Sequence, residues 1–324
     1  MPKFRLPAIP TWDCDSPVEI ADWWEIETLR ANSKRSSLND LRAGVGRQAE
    51  TDPSSDTEAD IDEESRFDYA VGEITYRKNS CSEAAYPFKF MPNTERVLGV
   101  KPIPRGRHAQ GWWLYMFLLL TTRLNMNDRR MFNGVDGTLL FEEVCEVALM
   151  GLGGNNLKSH RFGTSSGQGN FAQKLNGFFA DLQEFSLRAD RPIPDHGGDD
   201  GLDIGIWNTF FWGGSTKPPQ GKRILLAQCK TGTSWDRADM QRLQPSSFFE
   251  KWMAPIPLGE MSRAFMTSSR VDAHQWEDCH RDGGLFFDRC RIVDYAAGRL
   301  LPDLFSRIKS WTNGAISCED LGVR

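Results

Sequence analysis

Apolar residues recur at helical spacing in the first half of the chain and in short extended runs in the second. Residues 17–29 set Ile20, Trp23, Trp24, Ile26 and Leu29 on one face, which predicts an amphipathic helix capped by Asp15 or Ser16. A second helix is expected to begin within residues 37–41. Residues 69–76 have a mixed pattern that fixes no element, and AYPFKF at 85–90 is a short extended candidate. Residues 111–124 read as a helix. Its apolar run, Trp112 to Leu120, falls short of the roughly 20 residues that span a bilayer, so it is expected inside the protein. Residues 137–151 predict a helix capped near Thr138 and ended by Gly151, with Leu140, Phe141, Val144, Ala148 and Leu149 at its spacing. Another amphipathic helix is expected over 171–187.

The pattern then changes. DHGGDDGLDIGIW is a Gly/Asp turn running into a strand, GGSTKPPQGK is a loop, and RILLAQCK is an apolar strand that ends in polar residues. The two strands read as a hairpin. Helices over 246–253, 272–279 and 300–311 alternate with strands over 263–268 and 285–292, an alternation that implies parallel crossovers. The expected fold class is α/β: a mixed central sheet, hairpin first and parallel strands after, with helices on both faces. Residues 1–110 form a mainly helical accessory region and residues 111–324 the principal domain.

Composition is that of an ordinary soluble chain, 40% hydrophobic and 26% charged over 324 residues. The formal charge of -5 argues against a polyanionic partner until it is located. Glu50 to Asp68 alone carries -8, so the remainder sums to +3. The acidic stretch, near 49–68, reads as a solvated or flexible insert, with a partner-binding acidic segment as the alternative. Lys101, Arg105, Arg107, Arg123, Arg129 and Arg130 flank the 111–124 helix against only Asp128. That basic cluster is either a phosphate-binding surface or a solvated face. Seven scattered cysteines suit neither a disulfide framework nor a zinc module, and reduced thiols in a cytoplasmic protein are expected. The segment MPKFRLPAIPTWDCDSP has no secretory pattern. P-loop and dinucleotide spacings fail, the Gly163–Gly169 loop reads as a connection, and His108, His160, His196 and His274 lack ligand spacing.

Strand alternation puts Gln228 and Lys230 on one side, with the Cys229 carbonyl between them. Asp203 can reach the same spot from the paired strand, and Glu142 from the helix before it. Each also has a structural reading: Asp203 as a turn cap, Lys230 as a strand-end cation, Glu142 as a helix-surface acid. Gln228 needs a partner if it is buried. Phe141-Glu142, then Asp199-Asp200-Gly201-Leu202-Asp203-Ile204, then Leu225-Leu226-Ala227-Gln228-Cys229-Lys230, resembles the PD-(D/E)xK nuclease superfamily, in particular its Mrr-like restriction-endonuclease branch, over roughly Thr138 to Trp311.

The resemblance implies a restriction-endonuclease-like sheet and a centre in which Asp203, Gln228, the Cys229 carbonyl and Glu142 hold Mg²⁺ or Mn²⁺ while Lys230 assists the attacking water. Gln228 in place of the commoner Glu removes one negative charge. The interval from Glu142 to Asp203 is long, and Glu143 and Glu146 are alternative helix acids. The implied function is that of a cytoplasmic Mg²⁺-dependent endodeoxyribonuclease of a prokaryotic restriction or antiphage system. Arg123, Arg129 and Arg130 would contact nucleic acid, further subunits or self-association are expected, and a membrane is not. The rivals are a catalytically silent member of the fold that binds DNA or a partner, and a nuclease acting on RNA or branched DNA.

Overall fold

A computed structural model describes residues 16–41, 58–81, 85–153, 157–162, 170–182, 186–188, 190, 200–208, 222–254 and 259–317. Expectations for Asp15, residues 42–57, the Gly163–Gly169 loop, His196, Asp199 and residues 209–221 lie outside these.

Five strands form the central sheet: β6 (Leu157–Arg161), β8 (Ile204–Asn208), β9 (Ile224–Lys230), β11 (Met261–Thr267) and β12 (Leu285–Phe287). Their order is β12-β11-β9-β8-β6. β6, β8 and β9 pair antiparallel, while β9, β11 and β12 run parallel. The hairpin followed by parallel strands is thus present, and the chain is mixed α/β.

Helices cover both faces. On one lie α3 (His108–Arg123), α4 (Gly137–Gly153), α9 (Arg289–Ala296) and α10 (Pro302–Ser317). On the other lie α5 (Phe171–Leu182), α6 (Arg237–Arg242), α7 (Pro245–Trp252) and α8 (Trp276–Gly283). Every residue of α3 from Gly111 to Thr122 is buried, which is why the segment is apolar all round rather than striped. No helix among the described residues is long and apolar enough to cross a membrane.

The N-terminal layer consists of α1 (Pro17–Arg30), α2 (Glu58–Ser80) and a small sheet of β1 (Arg35–Ser37), β2 (Phe88–Phe90) and β3 (Val97–Val100) in the order β1-β3-β2. Trp24, Ile26, Phe67 and Ile74 from this layer share one apolar core with Leu114, Phe117, Ile292 and Trp311. The layer is further joined to the sheet by buried charge. Arg289 of α9 reaches both carboxylate oxygens of Asp22 in α1, at 2.8 and 3.0 Å, and Arg77 of α2 lies 2.7 Å from the same carboxylate. Tyr86 and Tyr115 donate to Glu25 at 2.7 and 3.0 Å. Burial opposes ionisation of Asp22, but Arg289, Arg77 and Arg123 outweigh it and hold this carboxyl far below the usual carboxylate range. Glu25 is pushed the other way, by burial and by Asp22 beside it, against the pull of Arg77.

Several expectations are corrected. The acidic insert is not a loop from residue 58 onward: α2 carries Glu58, Asp60, Asp62, Glu63, Glu64 and Asp68. Acidic residues suit the start of a helix, and Phe67, Ala70 and Ile74 anchor its later turns in the core. The unassigned residues 69–76 belong to the same helix. The strand expected over 285–292 stops at Phe287, because Asp288 accepts from the Arg291 N–H at 3.1 Å and caps α9. The helix expected to run to Leu187 ends at Leu182; Ser186–Leu187 is a strand, β7, paired with β10 (Met253–Ala254). The cap expected near Thr138 is Asp136, at the end of the short hairpin of β4 (Met131–Phe132) and β5 (Val135–Asp136), accepting from the N–H groups of Thr138 and Leu139. Nor are all the thiols reduced: Cys81 at the end of α2 is disulfide-bonded to Cys290 in α9, 209 positions later.

Candidate metal centre at the end of a central strand

The turn before β8 brings the first candidate to the sheet. Asp200 and Gly201 have φ of 50° and 83°, the left-handed conformation that folds the chain back sharply. Beyond it the Asp203 N–H donates to the Ala227 carbonyl at 2.9 Å, and the Asp203 Oδ2 accepts from the Cys229 N–H at 2.7 Å. The carboxylate therefore takes the place of a backbone acceptor in the β8–β9 ladder, which fixes it at the carboxyl end of β9.

Gln228 lies directly before that N–H. It is 1% exposed, and neither its Oε1 nor its Nε2 has a hydrogen-bond partner. A buried amide without partners is costly and rare. Its side chain lies against Gly201: a Cβ built there would stand 3.1 Å from the amide oxygen. Across the turn, Lys251 of α7 is 3.1 and 3.0 Å from the two oxygens of Asp200.

β9 divides the remaining candidates between its faces. Gln228 pairs in register with Phe265, and the Lys230 ammonium is 3.1 Å from Asp239 of α6, so both are on the side of α6 and α7. Cys229 turns the other way and packs into the core that holds Cys145 of α4. Burial pushes both thiols up, and the charges of Asp203 and Glu142 add to it. Glu142 and Asp203 both act electrostatically on these thiols, whereas Gln228 and Lys230 lie on the other face of β9. Among the described residues no three His, Cys, Asp or Glu side chains gather as a metal cage.

The choice among the helix acids is narrowed by partners. Glu143 is gripped by Arg307 at 2.8 and 2.6 Å, and Glu146 is paired with Arg161 at 3.0 Å. Both are thus engaged in ion pairs away from the end of β9, while the charge of Glu142 is felt by the Cys145 and Cys229 thiols. The expected basic contacts fare less well. The Arg123 side chain is only 6% exposed and bonds Glu19 and Asp22 at 2.7 and 2.8 Å, so it belongs to the internal charge cluster. Arg130 lies 3.3 Å from Asp136, and Arg129 is likewise engaged. Asp239 and Lys251 were missed from sequence because nothing in their spacing ties them to the strand end; Asp200, quoted there only as part of the turn, is the residue that Lys251 pairs with.

The chain matches no protein-family model, no curated protein and no solved structure.

Proposed function

We propose that the chain is a metal-dependent nuclease of restriction-endonuclease type that hydrolyses DNA phosphodiesters at the end of β9, using Mg²⁺ or Mn²⁺. The observation that carries this reading is the buried, unpartnered amide of Gln228 one residue from the N–H that fixes Asp203. Hard divalent cations take oxygen ligands, and the donors here are the Gln228 Oε1, the Asp203 carboxylate and the Cys229 carbonyl, with Glu142, on the α4 side of β9, as a further acid that could approach them. That carbonyl leaves β9 on the same edge as the N–H bound to Asp203, because both groups of a strand residue point to one neighbour. A bound cation would supply polarisation of a phosphoryl oxygen and an acidified water. Asp203 is held at one fixed position by the Cys229 N–H, and Gln228 gains in a ligand the partner it lacks. Lys230 turns from Asp239 toward the attacked phosphate, where it orients water and balances the charge that develops. A prokaryotic defence role and further subunits are extensions of the same reading.

The Lys230–Asp239 pair and the division of candidates across β9 favour a second reading, a silent member of this fold that binds nucleic acid without cutting it. Incubation with plasmid, linear duplex, single-stranded DNA and RNA in Mg²⁺, Mn²⁺ or EDTA, beside Asp203→Ala and Lys230→Ala, separates the two. Metal-dependent cleavage lost in both variants supports the nuclease. Binding that persists in EDTA, with no cleavage of any substrate, supports the silent reading.

A further inference from the structure

The basic cluster around the 111–124 helix is split by the fold. Arg123 is consumed inside the protein at the carboxyl end of α3, whereas Arg105, Arg107 and His108 sit exposed at its start. α3 has 16 residues, so its two ends are about 24 Å apart. No Asp or Glu occurs between Glu95 and Asp128. The start of α3 is fastened to the loop between α9 and α10: the Gln110 Oε1 accepts from the N–H groups of Gly298 and Leu300 at 2.8 and 3.2 Å, and its Nε2 donates to the Leu300 carbonyl at 3.1 Å. That loop contributes Arg299, also exposed; it donates to the Tyr295 carbonyl at 2.9 Å and has no acidic partner among the described residues. The nearest acids along the chain are Asp294 and Asp303, and Asp303 is held by Arg307 at 2.9 Å.

We propose that Arg105, Arg107, His108 and Arg299 form a docking surface for the sugar-phosphate backbone of a nucleic acid, remote from the β9 end. The identity of the polyanion rests on the nuclease reading; the positive surface does not. Three guanidiniums without acidic partners among the described residues present N–H donors that match phosphate oxygens, and the positive end of the α3 dipole adds to their field. The Gln110 clamp holds the two segments in one geometry before any ligand arrives, so little ordering cost falls on binding. A lipid surface fits less well. The exposed aliphatics here, Ile103 and Leu301 at 50% and 71%, stand singly on loops and make no broad apolar helix face to lie in a bilayer. Because the surface and the β9 end flank opposite ends of a buried helix, a nucleic acid held at both must be long or bent.

The test measures binding of a fluorescent 30-base-pair duplex in EDTA, where no cutting occurs, as a function of salt. Wild type is compared with Arg105→Glu/Arg107→Glu/Arg299→Glu, the milder Arg105→Ala/Arg107→Ala, and Lys78→Glu as an exposed charge reversal elsewhere. The proposal expects a roughly tenfold or greater loss of affinity in the triple variant, a salt slope shallower by about 2 to 3, a smaller loss in the alanine pair, and little change in Lys78→Glu. Melting curves that match the wild type show that the exposed substitutions leave the fold intact. Unchanged duplex affinity in the folded triple variant overturns the assignment, as does absence of duplex binding by the wild type. Binding to vesicles of phosphatidylglycerol and phosphatidylcholine in place of the duplex also overturns it. If the duplex binds through these residues but no metal permits cleavage, the docking surface stands and the nuclease reading falls.

Discussion

Arg289 grips both carboxylate oxygens of Asp22, 267 positions earlier in the chain, and neither side chain is exposed to solvent. Asp22→Asn leaves Arg289, Arg77 and Arg123 with too little negative charge inside the core. A loss of about 3 to 5 kcal/mol in urea unfolding is expected. The pH dependence has a definite sign. The folded carboxyl titrates below its unfolded value, so its stabilisation is complete above about pH 4 and is lost as pH falls below that. The wild type should therefore lose stability on acidification more steeply than Asp22→Asn. Parallel acid limbs would remove Asp22 from that role.

Gln228→Glu restores the carboxylate that the resemblance expects. Without metal it buries an unpaired charge and should lower the melting temperature. With Mg²⁺ the loss should be recovered, and more strongly than any shift seen in the wild type, because ligand binding to the folded state stabilises by mass action. Melting in EDTA and in a Mg²⁺ series measures this, and a variant that melts at the same temperature in both has no metal ligand at 228.

Gly201→Ala should be harmful for two reasons that act together. Its φ of 83° suits glycine, and the added methyl carbon would press on the Gln228 amide at 3.1 Å. About 1 to 3 kcal/mol of destabilisation is expected. Hydrogen exchange gives the local readout: the Cys229 amide, which bonds Asp203, should exchange faster in the variant while amides of β11 keep their protection.

Cys81 and Cys290 join the N-terminal layer to α9 through a bond that closes a long stretch of chain. Cys81→Ser/Cys290→Ser should lower stability by about 2 to 5 kcal/mol, and a reducing agent should lower the wild type equally while leaving the variant unchanged. Thiol counting on the unfolded wild type checks the premise: reduction should release two more thiols in the wild type than in Cys81→Ser/Cys290→Ser.

The sheet was legible because its signals are local. Ile224 to Lys230 is an apolar run with a polar end, Asp200 and Gly201 mark a tight turn, and alternation with helices dictates parallel neighbours. The errors have a common cause in contacts distant along the chain. Nothing near Asp60 announces a helix, because its anchoring residues Phe67 and Ile74 meet α1 and α3 only in the folded protein. Arg123 looked like a surface cation because Asp22, its partner, is 101 positions away. Asp203 and Gln228 were singled out from sequence and do lie at the end of β9, but the division of the candidates by β9 depends on which way Cys229 turns, which no local pattern announces.

The fully enclosed α3 bears on how the protein can be taken apart. Severed before Gly111, the C-terminal portion would expose one flank of Trp112, Trp113 and Tyr115 and would retain the Arg289 cation without Asp22. It would be a sticky, charge-frustrated fragment, and the N-terminal portion would lack the apolar floor on which Trp24 and Phe88 rest. The two pieces complement each other like halves of a split reporter: co-expressed, they have reason to reassemble around α3, since the C-terminal piece keeps the core on the far face of the sheet but loses the cover of α3.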